Sequence, residues 1–472
     1  MRHAFLIAAM AALAAGAFAQ EPAMPSAQTD VSQQTDIAVT AYNSGIALVR
    51  DVRKLDLPQG EVELKFMDVA QQIRPETVGL RSLAQAGSVV ILEQNYEYDL
   101  ISPEKLMEKY VGKEVKLINF SNEIGFFEKT AELLSINQGP VYRVDGQIFL
   151  GHPGNVVVPE LPDNLIAKPS LIWHLNNTLG AQQLEATYIT NGISWRADYV
   201  LTLAKTDTSL DIAGWVTMDN QSGATYENAR LKLVAGDVNI APPQVADKGM
   251  RERALAMSAP APEMAREETF AEYHLYTIPR RTTIKQNQSK QVALLSGAGV
   301  QCEKRYEFRG MVDFYSNRFP PMKDQHVDVF LKFQNTEANH LGIPVPAGIM
   351  RIYQEDSEGM LQFAGEDRVD HTPKDEEIRL RMGKAFDVVA DRIQKDFAQI
   401  SDRVCEAEFE ITVRNHKGQD VVVDIVEPMP ADWKILSKSH DFVKKDAHTA
   451  IFSVPVPKDG KVAVTYRVQV QY

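Results

Sequence analysis

The stretch Leu55-Asp56-Leu57-Pro58-Gln59-Gly60-Glu61-Val62-Glu63-Leu64-Lys65-Phe66 alternates apolar and polar residues on both sides of a Pro/Gly turn. Successive side chains of a strand point to opposite faces, so this pattern describes two strands that each bury one face. The chain just before it agrees. Residues 37–42 form a strand by composition, Asn43-Ser44-Gly45 a turn, and residues 46–52 a second strand. A β-domain is expected over residues 37–100.

Working outward, Ser102-Pro103-Glu104-Lys105 opens a short helix, with serine at the cap and proline at the first helical position. Short strands return at 114–118, 130–136, 141–144 and 147–150, the last two joined by Asp145-Gly146, a strong hairpin signal. This reads as a small barrel-like β-domain over 101–170. A third unit, 171–383, has strands at 184–189, 195–203, 210–218 and 231–234, with Asn191-Gly192 as a hairpin turn, and is expected to be a sandwich. Residues 241–272 interrupt it with four prolines, and with Met250, Met257 and Met264 among Ala, Arg and Glu, which predicts a long mobile loop. The last unit, 384–472, is expected to be an immunoglobulin-like sandwich, with Asn415-His416-Lys417-Gly418 as a hairpin. Within it Phe386, Val389, Ala390, Ile393 and Phe397 have helical spacing, but Val388-Val389 and the context favour a strand. The fold class is therefore all-β (mainly β), with several sandwich or small-barrel domains.

Residues 1–19 have the order of a secretory signal. Arg2 is followed by an apolar run from Ala4 to Ala15 and by the small-x-small site Ala17-Phe18-Ala19. Cleavage after Ala19 would leave a polar tether over 20–36, and a periplasmic or extracellular location. The 44% hydrophobic content of the 472 residues is enough for real cores. With 50 basic against 63 acidic residues the formal charge is −13, which argues against nucleic acid as a partner. No stretch after the signal is apolar for the roughly 20 residues of a membrane-spanning helix. The C-terminal Val464-Thr465-Tyr466-Arg467-Val468-Gln469-Val470-Gln471-Tyr472 alternates and ends on an aromatic, as the strands of outer-membrane barrels do. Most other runs are shorter and broken by proline, so a soluble sandwich is the expectation.

Three groups of residues resemble a known family. They are Thr187-Tyr188-Ile189-Thr190-Asn191-Gly192-Ile193-Ser194-Trp195-Arg196-Ala197-Asp198-Tyr199, then Asp219-Asn220-Gln221-Ser222-Gly223 with Ala235-Gly236-Asp237, then Pro346-Ala347-Gly348-Ile349-Met350-Arg351-Ile352-Tyr353 with Gly365-Glu366-Asp367 and His371-Thr372-Pro373. Together they are similar to exported bacterial proteins carrying the domain of unknown function shared with mucoidy inhibitor A-type proteins. The long coiled coil of the mucoidy inhibitor form is missing here. The resemblance implies no catalytic residues.

The signatures of common enzymes are missing, among them Gly-x-Ser-x-Gly, His-Glu-x-x-His, a phosphate-binding loop and Cys-x-x-Cys. Ser102-Pro103-Glu104-Lys105 matches Ser-x-x-Lys without its partner motifs, and a helix cap accounts for Ser102. Glu366, Asp367, Asp370 and His371 are weak candidates for a divalent cation, set against a solvated hairpin. Asp198, Asp219 and Asp237 are carboxylates that would matter only if they converged. The Met250/Met257/Met264 stripe suits Cu(I) or, more readily, a partner-binding loop. Cys302 and Cys405 permit a disulfide in an oxidising compartment, with separate thiols as the alternative. No cofactor is expected. The leading expectation is a non-enzymatic envelope protein that binds or scaffolds, with an envelope protein or polysaccharide as partner. The alternative is a periplasmic hydrolase or carbohydrate-active enzyme that uses carboxylates at a domain interface.

Overall fold

The computed structural model describes residues 24–121, 125–151, 154–162, 165–236, 238, 266–270 and 273–472. The expected signal peptide, residues 241–265 with their three methionines, and Asp237 lie outside the described residues. The all-β expectation holds, since strand accounts for 65% of the structure and helix for 5%. The tether expected over 20–36 is ordered where it is described. Ser26–Thr29 is a strand parallel to Gly60–Met67, and a 3-10 turn at Val31–Gln33 is capped by Asp30. Thr29 is buried there, so even this polar run gains a partner surface. Arg266–Phe270, expected at the end of the mobile loop, pairs antiparallel with Tyr273–Thr277.

The chain forms two compact units. The first holds residues up to Asp36 with Asp51–Gln71 and Pro75–Tyr188, and the second Ile37–Arg50, Gln72–Arg74 and Ile189–Tyr472. The expected boundaries at 100/101 and 383/384 therefore each fall inside a unit. Alternation marks where strands lie but does not say which strands share a core.

In the first unit a four-stranded sheet has the order Ser26–Thr29, Gly60–Met67, Ser170–Asn177, Val89–Glu97. The alternation at 61–66 works as its pattern requires: Val62, Leu64 and Phe66 are buried and pair in register with Leu175, Trp173 and Leu171. Arg53 is fully buried beside them, with its guanidinium 3.6 Å over the Phe66 ring and bonded to the Asp51 carboxylate and to Thr29 O and Met67 O. The same unit contains a five-stranded antiparallel sheet and the helix Pro103–Lys109, whose Ser102 cap accepts from Lys105 N at 3.1 Å. Asp145 and Gly146, at φ 48° and 79°, make the expected two-residue hairpin between Val141–Val144 and Gln147–Leu150. The sheet ends on two different edge strands, so the expected barrel is an open sheet.

The second unit is organised by a long sheet. Its order is Leu361–Val369, Gly348–Glu355, Ile193–Leu203, Ser209–Asn220, Gln288–Arg309, Met322–Gln334, Glu377–Ser401, Val404–Asn415, Gly460–Gln471, Asp432–Lys438. Two of these strands are 22 and 25 residues long and run through both halves of the unit, which is why no boundary falls at 383/384. The ambiguous 384–400 stretch is strand, with Val388, Ala390 and Arg392 pointing inward. A second layer of Val421–Pro428, Thr449–Val456 and Val443–Asp446 closes a sandwich over the C-terminal half. Phe409, Ile411, Val423, Ile425, Phe452 and Val468 belong to its single buried cluster.

Two expected hairpins are corrected. The strands before and after Asn191-Gly192 lie in different sheets, and those flanking Asn415-His416-Lys417-Gly418 do not pair with each other: Val404–Asn415 pairs with Glu377–Ser401 and Gly460–Gln471, and Val421–Pro428 with Gln288–Arg309 and Thr449–Val456. Neither turn joins two paired strands, and the one at Asn191-Gly192 passes the chain between sheets. Gly192 is required there: its φ is +81°, and a Cβ would meet Gln221 C at 2.9 Å.

Candidate functional site

Among the described residues of the second unit, one sheet face gathers charged, polar and aromatic side chains. In Ile193–Leu203 the odd-numbered residues are buried, which turns Arg196 and Asp198 outward. Register carries the same face across the neighbours. Asp198 stands opposite Trp215 on one side and Ile349 on the other, and Ile349 opposite Arg368. Arg351 stands opposite Glu366, and Tyr353 opposite Phe363.

Asp198 is the hub of this face. It accepts from Thr217 Oγ1 at 2.9 Å and from Arg351 Nη1 at 3.0 Å, and Arg196 Nε lies 3.5 Å away. Arg196 reaches on to Asp219 at 2.9 Å, Arg351 to Glu366 at 3.2 Å, and Gln291 donates to Thr217 at 3.2 Å. Two of the three carboxylates singled out by sequence, Asp198 and Asp219, thus converge, but on a shared arginine. Both carboxylates are therefore engaged in ion pairs with Arg196. At the edge of the face Phe363 is 57% exposed and meets Tyr353 edge-to-face at 5.7 Å.

The cation candidates do not form a ligand set. Glu366 pairs with Arg351, and Asp367 accepts from Arg381 N at 2.7 Å. Asp370 offers its backbone carbonyl to Thr372, and His371 Nδ1 accepts from Ala347 N at 3.2 Å. No group of three or more His, Cys, Asp or Glu among the described residues is placed to hold a metal ion. For Glu366 and Asp367 alternation explains this, because neighbours on the strand Leu361–Val369 point to opposite faces. Nor is there a disulfide: Cys302 and Cys405 are free thiols. Cys302 faces Asp207 O, while Cys405 lies beside Gln399 Oε1 at 3.2 Å. Burial pushes the Cys302 thiol up to about 11.

Sequence reading missed a second cluster, in the sandwich core. Arg392 and Glu427 form a bidentate ion pair, and Tyr315 Oη donates to Glu427 at 2.6 Å while lying 3.0 Å from Tyr466 Oη. Phe314 and Phe409 ring the guanidinium at 4.7 and 5.6 Å. Burial opposes the Arg392 charge, but Glu427, Tyr466 and Tyr315 together outweigh it and hold the group above its ordinary range. Burial raises both phenols well above theirs. The signal was present in the sequence. Arg392 is in phase with inward Val388 and Ala390, and Glu427 with Val423 and Ile425. The cluster has no opening to solvent, which suits structure better than chemistry.

In the first unit, a hollow of about 770 Å³ lies between the Pro103–Lys109 helix and the Asn155–Val157 strand, lined by Leu106, Met107, Ile136, Val156 and Val158. Glu104 is the one ionisable lining residue among the described ones, and no acid–base pair meets there among them. No helix among the described residues is long and apolar enough to cross a membrane.

No curated protein matches the chain. The family model for the domain of unknown function DUF4139 matches residues 184–472, which covers the charged face, the buried ion pair and the whole long sheet. That is more than half of the sequence, and the chain belongs to the DUF4139 family.

Proposed function

We propose that the chain is exported to the cell envelope and acts there without catalysis, as a binding or scaffolding protein that meets its ligand on the outer face of the long sheet. The observation that carries this reading is the state of the converging carboxylates. Asp198, Asp219 and Glu366 are each engaged by arginine, a durable arrangement for recognition and an unsuitable one for proton transfer. The signal-like residues 1–19 support export, and the markers around Thr187–Tyr199 support kinship with mucoidy inhibitor A-type proteins. A hydrolase would need two carboxylates free to address one bond, whereas Asp198, Asp219 and Glu366 on this face are each held by an arginine.

Cell fractionation with N-terminal sequencing tests the location. The chain should be recovered from the envelope beginning at Gln20, and a chain retaining Met1 in the cytoplasm would overturn the reading. A photo-cross-linker at Arg368, on the face, should trap a species that the same group at exposed Lys458 does not. Identical patterns from both positions would count against this face.

A further inference from the structure

We propose that the outer sheet face of the DUF4139 domain binds an uncharged glycan chain, with Tyr353 and Phe363 as stacking rings and Asp198, Gln291, Arg351 and Glu366 as hydroxyl partners. This deepens the binding reading above and rests on it. Three features converge on the assignment.

The first is an aromatic pair that the fold does not bury. Large aromatics dominate cores, yet Phe363 keeps 57% of its surface exposed while touching Tyr353 at 5.7 Å. Half-buried Trp215 lies on the same face, beside Asp198. Aromatic rings give flat apolar area at small entropic cost, which suits the C–H faces of sugar rings.

Charge is the second. Arg196, Arg351 and Arg368 are offset on this face by Asp198, Asp219 and Glu366, with exposed Asp211, opposite Thr202, as one further carboxylate, so the face carries little net charge. A ligand with net charge of either sign would compete with these pairs and gain nothing from the sum. A hydroxyl both donates and accepts, so it fits between guanidinium N–H groups and carboxylate oxygens without breaking them. An ionised carboxylate has about four lone-pair positions, which leaves Asp198 acceptor capacity beyond Thr217 and Arg351.

The third is rigidity. These side chains project from paired strands, and Asp198 is held from two sides, so little ordering remains when a ligand arrives. The balanced charge also disfavours an anionic lipid surface, which calls for a basic excess.

Affinity gel electrophoresis of the full chain without residues 1–19 is the test. Gels contain amylopectin, galactomannan or mixed-linkage β-glucan as neutral probes, and polygalacturonate as the charged one. Retardation by at least one neutral polymer is expected, weakened about tenfold or more in Phe363→Ala and in Arg351→Met. Lys458→Ala, away from the face, should bind as the parent does. Circular dichroism confirms that each variant is folded. A variant that does not fold is replaced by Tyr353→Leu or Gln291→Ala, for which the same loss is expected. Retardation by polygalacturonate alone, binding to phosphatidylglycerol vesicles alone, or neutral binding unchanged in the face variants would each overturn the proposal. If no polymer retards the chain while the Arg368 cross-linker still traps a specific protein, the glycan assignment fails and the binding reading survives.

Discussion

Arg392 and Glu427 stand 35 residues apart in sequence and form an ion pair with 2% and 0% of their side chains exposed. Gly310 closes over them, so that a Cβ there would lie 2.4 Å from Glu427 Oε2. Removing one member of a buried pair strands the other charge in a low-dielectric core, at a cost of about 3–5 kcal/mol. Glu427→Ala and Arg392→Ala are each expected to lower the unfolding free energy of the second unit, read from urea titration, by that order. The double variant Arg392→Met/Glu427→Leu should recover most of the loss, because no charge is then left unpaired. Single variants that unfold like the parent would show that the pair adds nothing.

Gly365 and Met382 hold the long sheet in a curl. Gly365 has φ +142°, and a Cβ would come within 2.4 Å of Met382 O on the Glu377–Ser401 strand. Gly365→Ala is therefore strained in its backbone and blocked by a carbonyl that cannot move cheaply. A loss of more than about 1 kcal/mol is expected, read from thermal unfolding. Ala at the open turn Gly359, where nothing lies within 4 Å, separates the two effects, since it carries the φ penalty alone.

The hydrogen bonds from Arg414 hold the Asp391 carboxyl below its usual range, and Asp324 N adds a third at 2.8 Å. A carboxyl depressed in the folded state contributes stability above its unfolded pKa of about 3.9 and loses it as pH falls through the folded value. Stability should fall below about pH 4, and the fall should be shallower in Arg414→Met. Equal slopes in acid titrations of parent and variant would remove Asp391 from the account.

With both thiols free, titration of the unreduced, unfolded chain should count two of them. In the folded chain at pH 8, Cys302 should react slowly with iodoacetamide, since the thiolate is the nucleophile and its pKa stands at about 11. Fast labelling of Cys302, followed by peptide mapping, would contradict the geometry.

Strand positions were well marked in the sequence, and pairing was not. The alternation at 61–66, the Asp145-Gly146 hairpin and the strand over 384–400 all match. In each, the deciding residues are sequence neighbours, and backbone period or turn chemistry settles the outcome. Asn191-Gly192 has the same chemistry as a hairpin and serves as a crossing between sheets. A turn preference constrains two residues and says nothing of which strand the next one will meet. Glu366 and Asp367, weak cation candidates by sequence, are adjacent on the strand Leu361–Val369, and such neighbours point to opposite faces.

From the sequence alone come the all-β class, the strand-rich segments and most of the residues that now make up the charged face, Arg196, Asp198, Asp219, Arg351, Tyr353 and Glu366 among them, within the quoted markers. The tertiary structure alone decided what those residues do together. Arg351 meets Asp198 across 153 residues, Tyr315 meets Glu427 across 112, and the two cysteines go their separate ways. Alternation is a local property of the backbone and survives in any all-β fold. Which carboxylate faces which arginine depends on register and on the sheet each strand joins, and both are set by long-range packing.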